Sequence, residues 1–313
     1  MRIAIFGAGS VGGYFGGRLS QAGEDVVFIA RGEHLNAMLT NGLRVDSING
    51  DFAVQPVQAS DDPSEIGKVD LVLVGVKAWQ VPEVAEAMRP MIGPKTVVLP
   101  MQNGLEAPAQ LTEILGEQHV LGGLCGLFCY VKGPGHIVHA GIDPFVKFGE
   151  LDNHRSQRVE QLLDSFKRAG VKAEIPPDIQ IAMWMKFLFI TVWSGMGAVT
   201  RAPIGVWRSL PETRRMAELN LQEIIAVAAA RDISLPEEAL KTAINMYDGL
   251  VPESTASLQR DVMAGRPSEL DAQIGAVIRF GQESDVATPQ HTYIYYSLLP
   301  MELRARGQLQ FGE

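Results

Sequence analysis

The chain has 313 residues, 46% of them hydrophobic, and a formal net charge of −9 at neutral pH. A length of this order predicts two domains, each with enough apolar residues for its own core. The acidic balance argues against a nucleic-acid groove or binding to an anionic membrane surface, so any anionic ligand must be met by local cations.

Residues Arg2–Phe6 are apolar and β-branched and predict a buried parallel strand. Gly7-Ala8-Gly9-Ser10-Val11-Gly12 follows, then a helical pattern over 11–22 that stops at Gly23, then a second β-branched run over 26–29. The whole reads as a βαβ unit with a GxGxxG turn. Gly7 permits the tight turn, Gly9 lets the backbone approach a pyrophosphate, and Gly12 lets helix and strand pack closely. The unpaired N–H groups that open the helix, beginning at Ser10 and Val11, are where an anion sits. An acid at the tip of the second strand marks an NAD site; here Ala30 is followed by Arg31, whose guanidinium suits a 2′-phosphate. NADP(H) is the expected cofactor.

Residues 32–68 read as a polar crossover with a helix near 33–41 and a strand near 52–57. A buried strand over 70–76 ends in Gly75-Val76-Lys77, and a helix follows over 81–91. The strand at 96–99 ends in Pro100-Met101-Gln102-Asn103-Gly104, and a helix over 107–115 leads to a strand at Val120. Short strands at 127–131, 137–139 and 146–148, a helix over 153–169 and a strand over 172–175 complete the region. This alternation predicts a Rossmann-type, doubly wound parallel α/β sheet over residues 1–177.

Pro176-Pro177-Asp178 marks the boundary. Residues 178–313 then read as an all-helical domain, with helices over 179–199, 213–230, 237–247, 255–264, 269–283 and 288–304. Ser234-Leu235-Pro236-Glu237 reads as a capping box. The apolar stretch 187–199 is glycine-interrupted and too short to span a bilayer, and the N-terminus enters strand one with no signal peptide, so a cytoplasmic location is expected. Cys125 and Cys129 read as reduced thiols, and His136 and His139 are too sparsely supported to be metal ligands.

In an open parallel sheet, ligands bind beyond the carboxyl ends of the strands. The glycine turn with Arg31, Lys77 and Asn103 all fall at such ends. In the helical region, Trp184-Met185-Lys186-Phe187-Leu188-Phe189-Ile190 sets one lysine among bulky apolar residues. Such surroundings disfavour the charged form and suit a proton donor, although a lysine can also pack its stem and extend its ammonium to water. The run 260–271 carries Asp261, Arg266, Glu269 and Asp271, a pattern most often found on a solvated face, and Arg266-Pro267-Ser268-Glu269 reads as a helix start.

Taken in order, the glycine turn, Arg31, Lys77-Ala78-Trp79-Gln80, Gln102-Asn103-Gly104, Trp184-Met185-Lys186-Phe187-Leu188 and residues 257–271 resemble the ketopantoate reductases (2-dehydropantoate 2-reductases) over nearly the full chain. The resemblance implies a Rossmann domain, a helical domain with an interdomain active site, and NADPH-dependent reduction of a small 2-keto acid in pantothenate biosynthesis. It implies that Lys186 is the general acid and that Glu269 positions substrate and lysine. Asn103 would contact both cofactor and substrate, Ser257 the substrate, and Arg31 and Lys77 the cofactor.

The chain departs from this pattern where the family often places asparagines: it has Ile190, Ser194, Ile204 and, among the substrate-binding positions, Ser254. Fewer amides make a more apolar pocket, so another 2-keto acid is the alternative substrate. An opine- or 3-hydroxyacyl-type dehydrogenase would need a catalytic histidine near Asn103 or Lys186, and none is there. A non-catalytic NADP(H) sensor would not need to keep Lys186 and Glu269. The apolar helices at 179–200 and 287–300 suggest a homodimer.

Overall fold

The computed structural model describes residues 1–311. They form two compact units, one of Met1–Gln102 with Ala107–Ile179, the other of Asn103–Glu106 with the described residues from Gln180 onward.

In the first unit, β1 (Arg2–Phe6), β2 (Asp25–Ile29), β5 (Gln58–Ser60), β6 (Leu71–Val74) and β7 (Val97–Pro100) form an all-parallel sheet in the order β5-β2-β1-β6-β7. β1, β2, β6 and β7 are nearly continuous apolar runs because both faces are covered, whereas the edge strand β5 is Gln-Ala-Ser. Ile3, Ile5, Val26, Phe28, Leu71 and Leu73 point into one core, while Ala4, Phe6, Val27, Ile29, Val72 and Val74 point into another. The second core is closed by α3 (Val81–Ala87) and α4 (Ala107–Leu115) through Val81, Val84, Ala85, Ala107 and Leu111.

The other face meets α1 (Ser10–Gln21), and beyond it lies a second sheet absent from the sequence reading. It holds β3 (Leu43–Ser47), β4 (Phe52–Val54), β8 (Leu121–Gly133), β9 (His136–Glu150) and β10 (Lys172–Glu174), with parallel and antiparallel pairs. The three short strands expected between 127 and 148 are in fact one long hairpin, β8–β9. The expected strand over 52–57 is broken after Val54, and a cis Gln55–Pro56 peptide precedes β5. The remaining helices are α2 (Gly32–Asn41) and α5 (Gln157–Arg168).

Four glycines explain how one helix fits between two sheets. A Cβ on Gly16 would lie 2.6 Å from Ile5 and Phe28 of the parallel sheet, and one on Gly13 would lie 2.2 Å from Ile137 of the second sheet. Gly12 and Gly17 repeat the same two contacts one turn away, against Ile5 and Phe52. Residues four apart share a helix face, so α1 presents a bare stripe to each sheet.

The second unit is helical: α6 (Ile179–Thr200, whose first residue belongs to the first unit), α7 (Ile204–Trp207), α8 (Pro211–Ala230), α9 (Ala239–Gly249), α10 (Ser257–Met263), α11 (Ala276–Glu283) and α12 (Pro289–Ala305). One core joins Trp184, Phe187, Leu188, Trp207, Leu221, Ile224, Tyr247, Ile274 and Ile294. The apolar stretch read as 187–199 belongs to a helix of 22 residues, long enough to cross a membrane, but 67% of its most apolar window is buried inside the protein. The capping box expected at Ser234 does not form: α9 starts at Ala239, after a turn closed by its N–H to Pro236 O at 2.8 Å. The helix expected over 269–283 begins instead as a π-helical turn, Asp271–Gly275, that continues into α11.

Candidate active site

In the first unit, the glycine turn lies where β1 ends. Gly7 has φ +95°, and the N–H groups of Gly7 and Ala8 donate to Ile29 O at 3.2 and 3.1 Å, tying the turn to the end of β2. A Cβ on Gly12 would lie 2.1 Å from Gly7 O, so only glycine lets α1 start there. A Cβ on Gly9, by contrast, would meet nothing within 4 Å. Gly9 is also the N-cap of α1, and no side chain caps the helix. The space beside Gly9 and the uncapped N–H groups of a glycine-opened helix are what a dinucleotide pyrophosphate requires, so the turn fits that group.

Arg31 follows β2, and Lys77 lies three residues beyond β6. Because β2, β1 and β6 are neighbours and parallel, Arg31, the glycine turn and Lys77 share one edge of the sheet. Arg31 is exposed, with Nη2 3.9 Å from Glu83 Oε1, a surface pair of little strength that leaves the guanidinium ready to meet a ligand. Lys77 is half-buried, its Nζ 5.9 Å from the centre of the Trp79 ring, and its N–H donates to Gln80 Oε1 at 3.2 Å.

Two residues that shape this side of the sheet, His34 and Gln102, were given no role from sequence. His34 Nδ1 accepts from Gly135 N–H at 3.1 Å, which leaves the proton on Nε2 to donate to Ala8 O at 2.8 Å. His34 therefore ties the glycine turn to the β8–β9 hairpin. Gln102 Nε2 donates to Val74 O at 2.9 Å and Val76 O at 3.0 Å, pinning the end of β6. Their partners lie 26 to 101 residues away in sequence, beyond any local pattern.

In the second unit the structure joins Asn103 to Glu269: the Asn103 amide donates to Glu269 Oε2 at 3.3 Å. Glu269 is only 6% exposed, so residues 268–270 are not the solvated face that the charge run suggested. The preceding residue is locked in place. Ser268 N–H donates to both carboxylate oxygens of Glu302 at 3.1 Å and its hydroxyl to Oε2 at 2.5 Å, while Arg306 donates to Glu302 Oε1 at 2.7 Å and to Ser268 O at 3.0 Å.

Lys186 is half-buried on α6. That helix packs on the segment after Glu269: Trp184 and Phe280 rings lie 6.0 Å apart, and a Cβ on Gly195 would meet Ile274 at 2.9 Å. One turn beyond Lys186, Phe189 O accepts from the Tyr247 hydroxyl at 2.8 Å and the two rings stack at 5.2 Å, fixing the helix where the lysine stands. Burial pushes the Tyr247 phenol well above its usual range, so it acts there as a neutral donor.

Ser254 and Ser257 are half-buried, the first in the loop before α10 and the second opening that helix. Ser254 O accepts from Ile204 N–H at 3.1 Å. Of the positions without the usual asparagine, Ile190 is half-buried, whereas Ser194 and Ile204 are inaccessible to solvent. His136 and His139 are structural partners of the second sheet: His136 Nε2 lies 2.8 Å from Asp46 and His139 Nδ1 2.8 Å from Ser47 Oγ.

Comparison with known proteins matches residues 3–153 to the ketopantoate reductase PanE/ApbA family and residues 178–302 to the ketopantoate reductase PanE/ApbA C-terminal family. The chain is 30% identical to the 2-dehydropantoate 2-reductase of a Nostoc species, covering 98% of each chain. It is 31% identical to an uncharacterized oxidoreductase of Bacillus subtilis, covering 95% of this chain and 98% of that one. Among solved structures, the 2-dehydropantoate 2-reductase of Geobacter metallireducens superposes with a TM-score of 0.90 at 31% identity, over 96% and 99% of the two chains. A D-mandelate dehydrogenase in ternary complex with NADH and anilino(oxo)acetate has the same fold, with a TM-score of 0.90 at 22% identity over 98% and 99%.

Proposed function

The chain belongs to the ketopantoate reductase family and is a 2-dehydropantoate 2-reductase-like oxidoreductase, and from that premise we propose that it reduces 2-dehydropantoate to pantoate with NADPH. The observation that carries the reading is the Asn103–Glu269 hydrogen bond, at 3.3 Å between segments 166 residues apart. A carboxylate this buried is costly to keep without a partner or a ligand, and it stands just before the π-helical turn and α11, whose Phe280 packs on Trp184 of the helix that carries Lys186.

In this reading the residues divide the work. Gly7, Gly9, Ser10, Val11 and Gly12 receive the pyrophosphate, Arg31 the 2′-phosphate, and Lys77 and Asn103 the ribose nearer the nicotinamide. The bound nicotinamide supplies the hydride. Lys186 donates a hydrogen bond to the keto oxygen as charge grows there, and then its proton. Asn103 is a second donor. Glu269 accepts from a substrate hydroxyl and keeps the lysine oriented, and Ser254 and Ser257 bond the substrate.

A second reading is favoured by Ile190, one turn beyond Lys186 and half-buried: the substrate is a more apolar 2-keto acid. The D-mandelate dehydrogenase with this fold acts on an aromatic 2-hydroxy acid and holds NADH, so neither the side chain accepted nor the 2′-phosphate follows from the fold. Following NADPH and NADH oxidation with 2-dehydropantoate beside branched and aromatic 2-keto acids tests both. Highest kcat/KM with 2-dehydropantoate and NADPH supports the first reading; a branched or aromatic acid winning replaces it with the second. A homodimer through α12, where Tyr293 and Tyr296 stand exposed, is expected, and light scattering checks it.

A further inference from the structure

The segment Asn103–Glu106 is tied at both of its ends to residues that flank the π-helical turn Asp271–Gly275. At one end Asn103 bonds Glu269. At the other, Arg279 forks onto Glu106, with Nε 3.2 Å from Oε1 and Nη2 2.7 Å from Oε2. The same guanidinium reaches Asp271 through Nη1 at 2.8 Å to Oδ1, and through Nη2 at 3.2 Å to its backbone O. Tyr295 adds a hydroxyl bond to Asp271 Oδ1 at 3.2 Å.

Between the two ends the backbones touch. Gly104 has φ +108°, and a Cβ there would lie 2.8 Å from Ala272 O. Gly275 makes room for the guanidinium: a Cβ on it would lie 2.8 Å from Asp271 Oδ1 and 3.1 Å from Arg279 Nη1. π-Helical turns recur at functional sites, and this one exposes the Asp271 carbonyl to Arg279. Partial burial opposes the charge on Arg279, yet Glu106 and Asp271 together raise its pKa, so the fork stays charged.

We infer that Arg279 is a positioning residue for the reduction: by bridging Glu106 and Asp271 it fixes the register between Asn103 and Glu269. Arg279 need not touch the substrate. It sets where two groups that do must stand, and a shift of about 1 Å in such groups costs on the order of 10²-fold in rate. The inference rests on the keto acid reductase reading of the same site.

The test is a double-mutant cycle with Asn103, using the best keto acid of the panel and NADPH. Arg279→Met is expected to lower kcat/KM by about 10- to 100-fold through both kcat and the KM for the keto acid. If Arg279 acts through Asn103, then Asn103→Ala costs much less in the Arg279→Met background than in the wild type. Should Arg279→Met fail to fold, Glu106→Gln and Arg279→Lys, which keep shape or charge but lose the fork, carry the same cycle. Additive losses overturn the inference, as does an Arg279→Met enzyme with wild-type kcat and KM. A wild-type protein that reduces no 2-keto acid instead overturns the reductase reading and this inference with it.

Discussion

Asn103 and Glu269 meet at 3.3 Å although 166 residues separate them. In the proposed reaction this pair and Lys186 are the polar groups that discriminate the transition state from the ground state. Lys186→Ala is therefore expected to lower kcat by on the order of 10²- to 10⁴-fold, the usual contribution of a positioned proton donor. NADPH affinity, followed by fluorescence titration, should stay within about twofold of wild type, because the turn proposed to receive its pyrophosphate belongs to the other unit. Glu269→Gln keeps the shape and the Asn103 contact but removes the charge, so its loss should be smaller. A Lys186→Ala enzyme with near-normal kcat would remove lysine from the mechanism.

Gly9 and Gly12 separate binding from folding. A Cβ on Gly9 meets open space, so Gly9→Ala should leave the melting temperature unchanged while, in the proposed reading, weakening NADPH by about tenfold or more, since the methyl would occupy the path of the pyrophosphate. A Cβ on Gly12 collides with Gly7 O at 2.1 Å, so Gly12→Ala should cost on the order of 1–3 kcal/mol of stability through overpacking. Differential scanning fluorimetry with and without NADPH reads both. Equal destabilisation by the two substitutions would mean that Gly9, too, is there for packing.

The contrast between these glycines shows what the sequence makes legible. The GxGxxG spacing announces the turn because its requirements are local: one tight turn, one open side, one close approach. The second sheet leaves no such trace. Its β3 is a short strand inside a polar stretch, paired in parallel with β9 some 90 residues on, and β8–β9 is interrupted by Gly126, Gly133 and Pro144, which break the alternation that would mark a long hairpin. Lys186 reads from sequence alone as either a snorkelling or a catalytic lysine, and family likeness, not spacing, raised Glu269 out of its charge run. The Glu106–Arg279 bridge spans 173 residues, so it could not be read locally.

Arg31 decides between the two nicotinamide cofactors in the proposed reading. Its observed partner, Glu83, is 3.9 Å away and both side chains are largely exposed, so breaking that pair costs little. Arg31→Ala should then weaken NADPH by about 10- to 100-fold and leave NADH almost unchanged, because only the 2′-phosphate loses its charged partner. KM values for both cofactors, measured with one keto acid, provide the check. Parallel losses for NADPH and NADH would mean that Arg31 holds the adenosine in some other way.

The buried His291 gives the helical unit a pH dependence of its own. Its ring is fully buried, its Nδ1 lies 2.6 Å from Glu223 Oε2, and Glu223 also accepts the Gln290 and His291 N–H groups at 2.7 and 3.1 Å, capping α12. Burial lowers the histidine pKa more than Glu223 raises it, so the folded value falls below the ordinary 6.5. Between those two values the unfolded chain binds more protons than the folded one, and stability rises with pH. The contribution is complete above about pH 6.5 and is lost as pH falls from there toward the folded value. Glu24 and Glu150, held below the usual carboxylate range despite burial by the N-terminal ammonium, Ser165 and Arg168 for one and by Arg158 and Ser156 for the other, lose theirs only in more acidic solution. Urea unfolding between pH 7 and 5 should show a declining midpoint in the wild type and a flatter one in His291→Gln. A wild-type midpoint that rises over that window would mean that His291 is charged in the folded protein and paired with Glu223 as an ion pair.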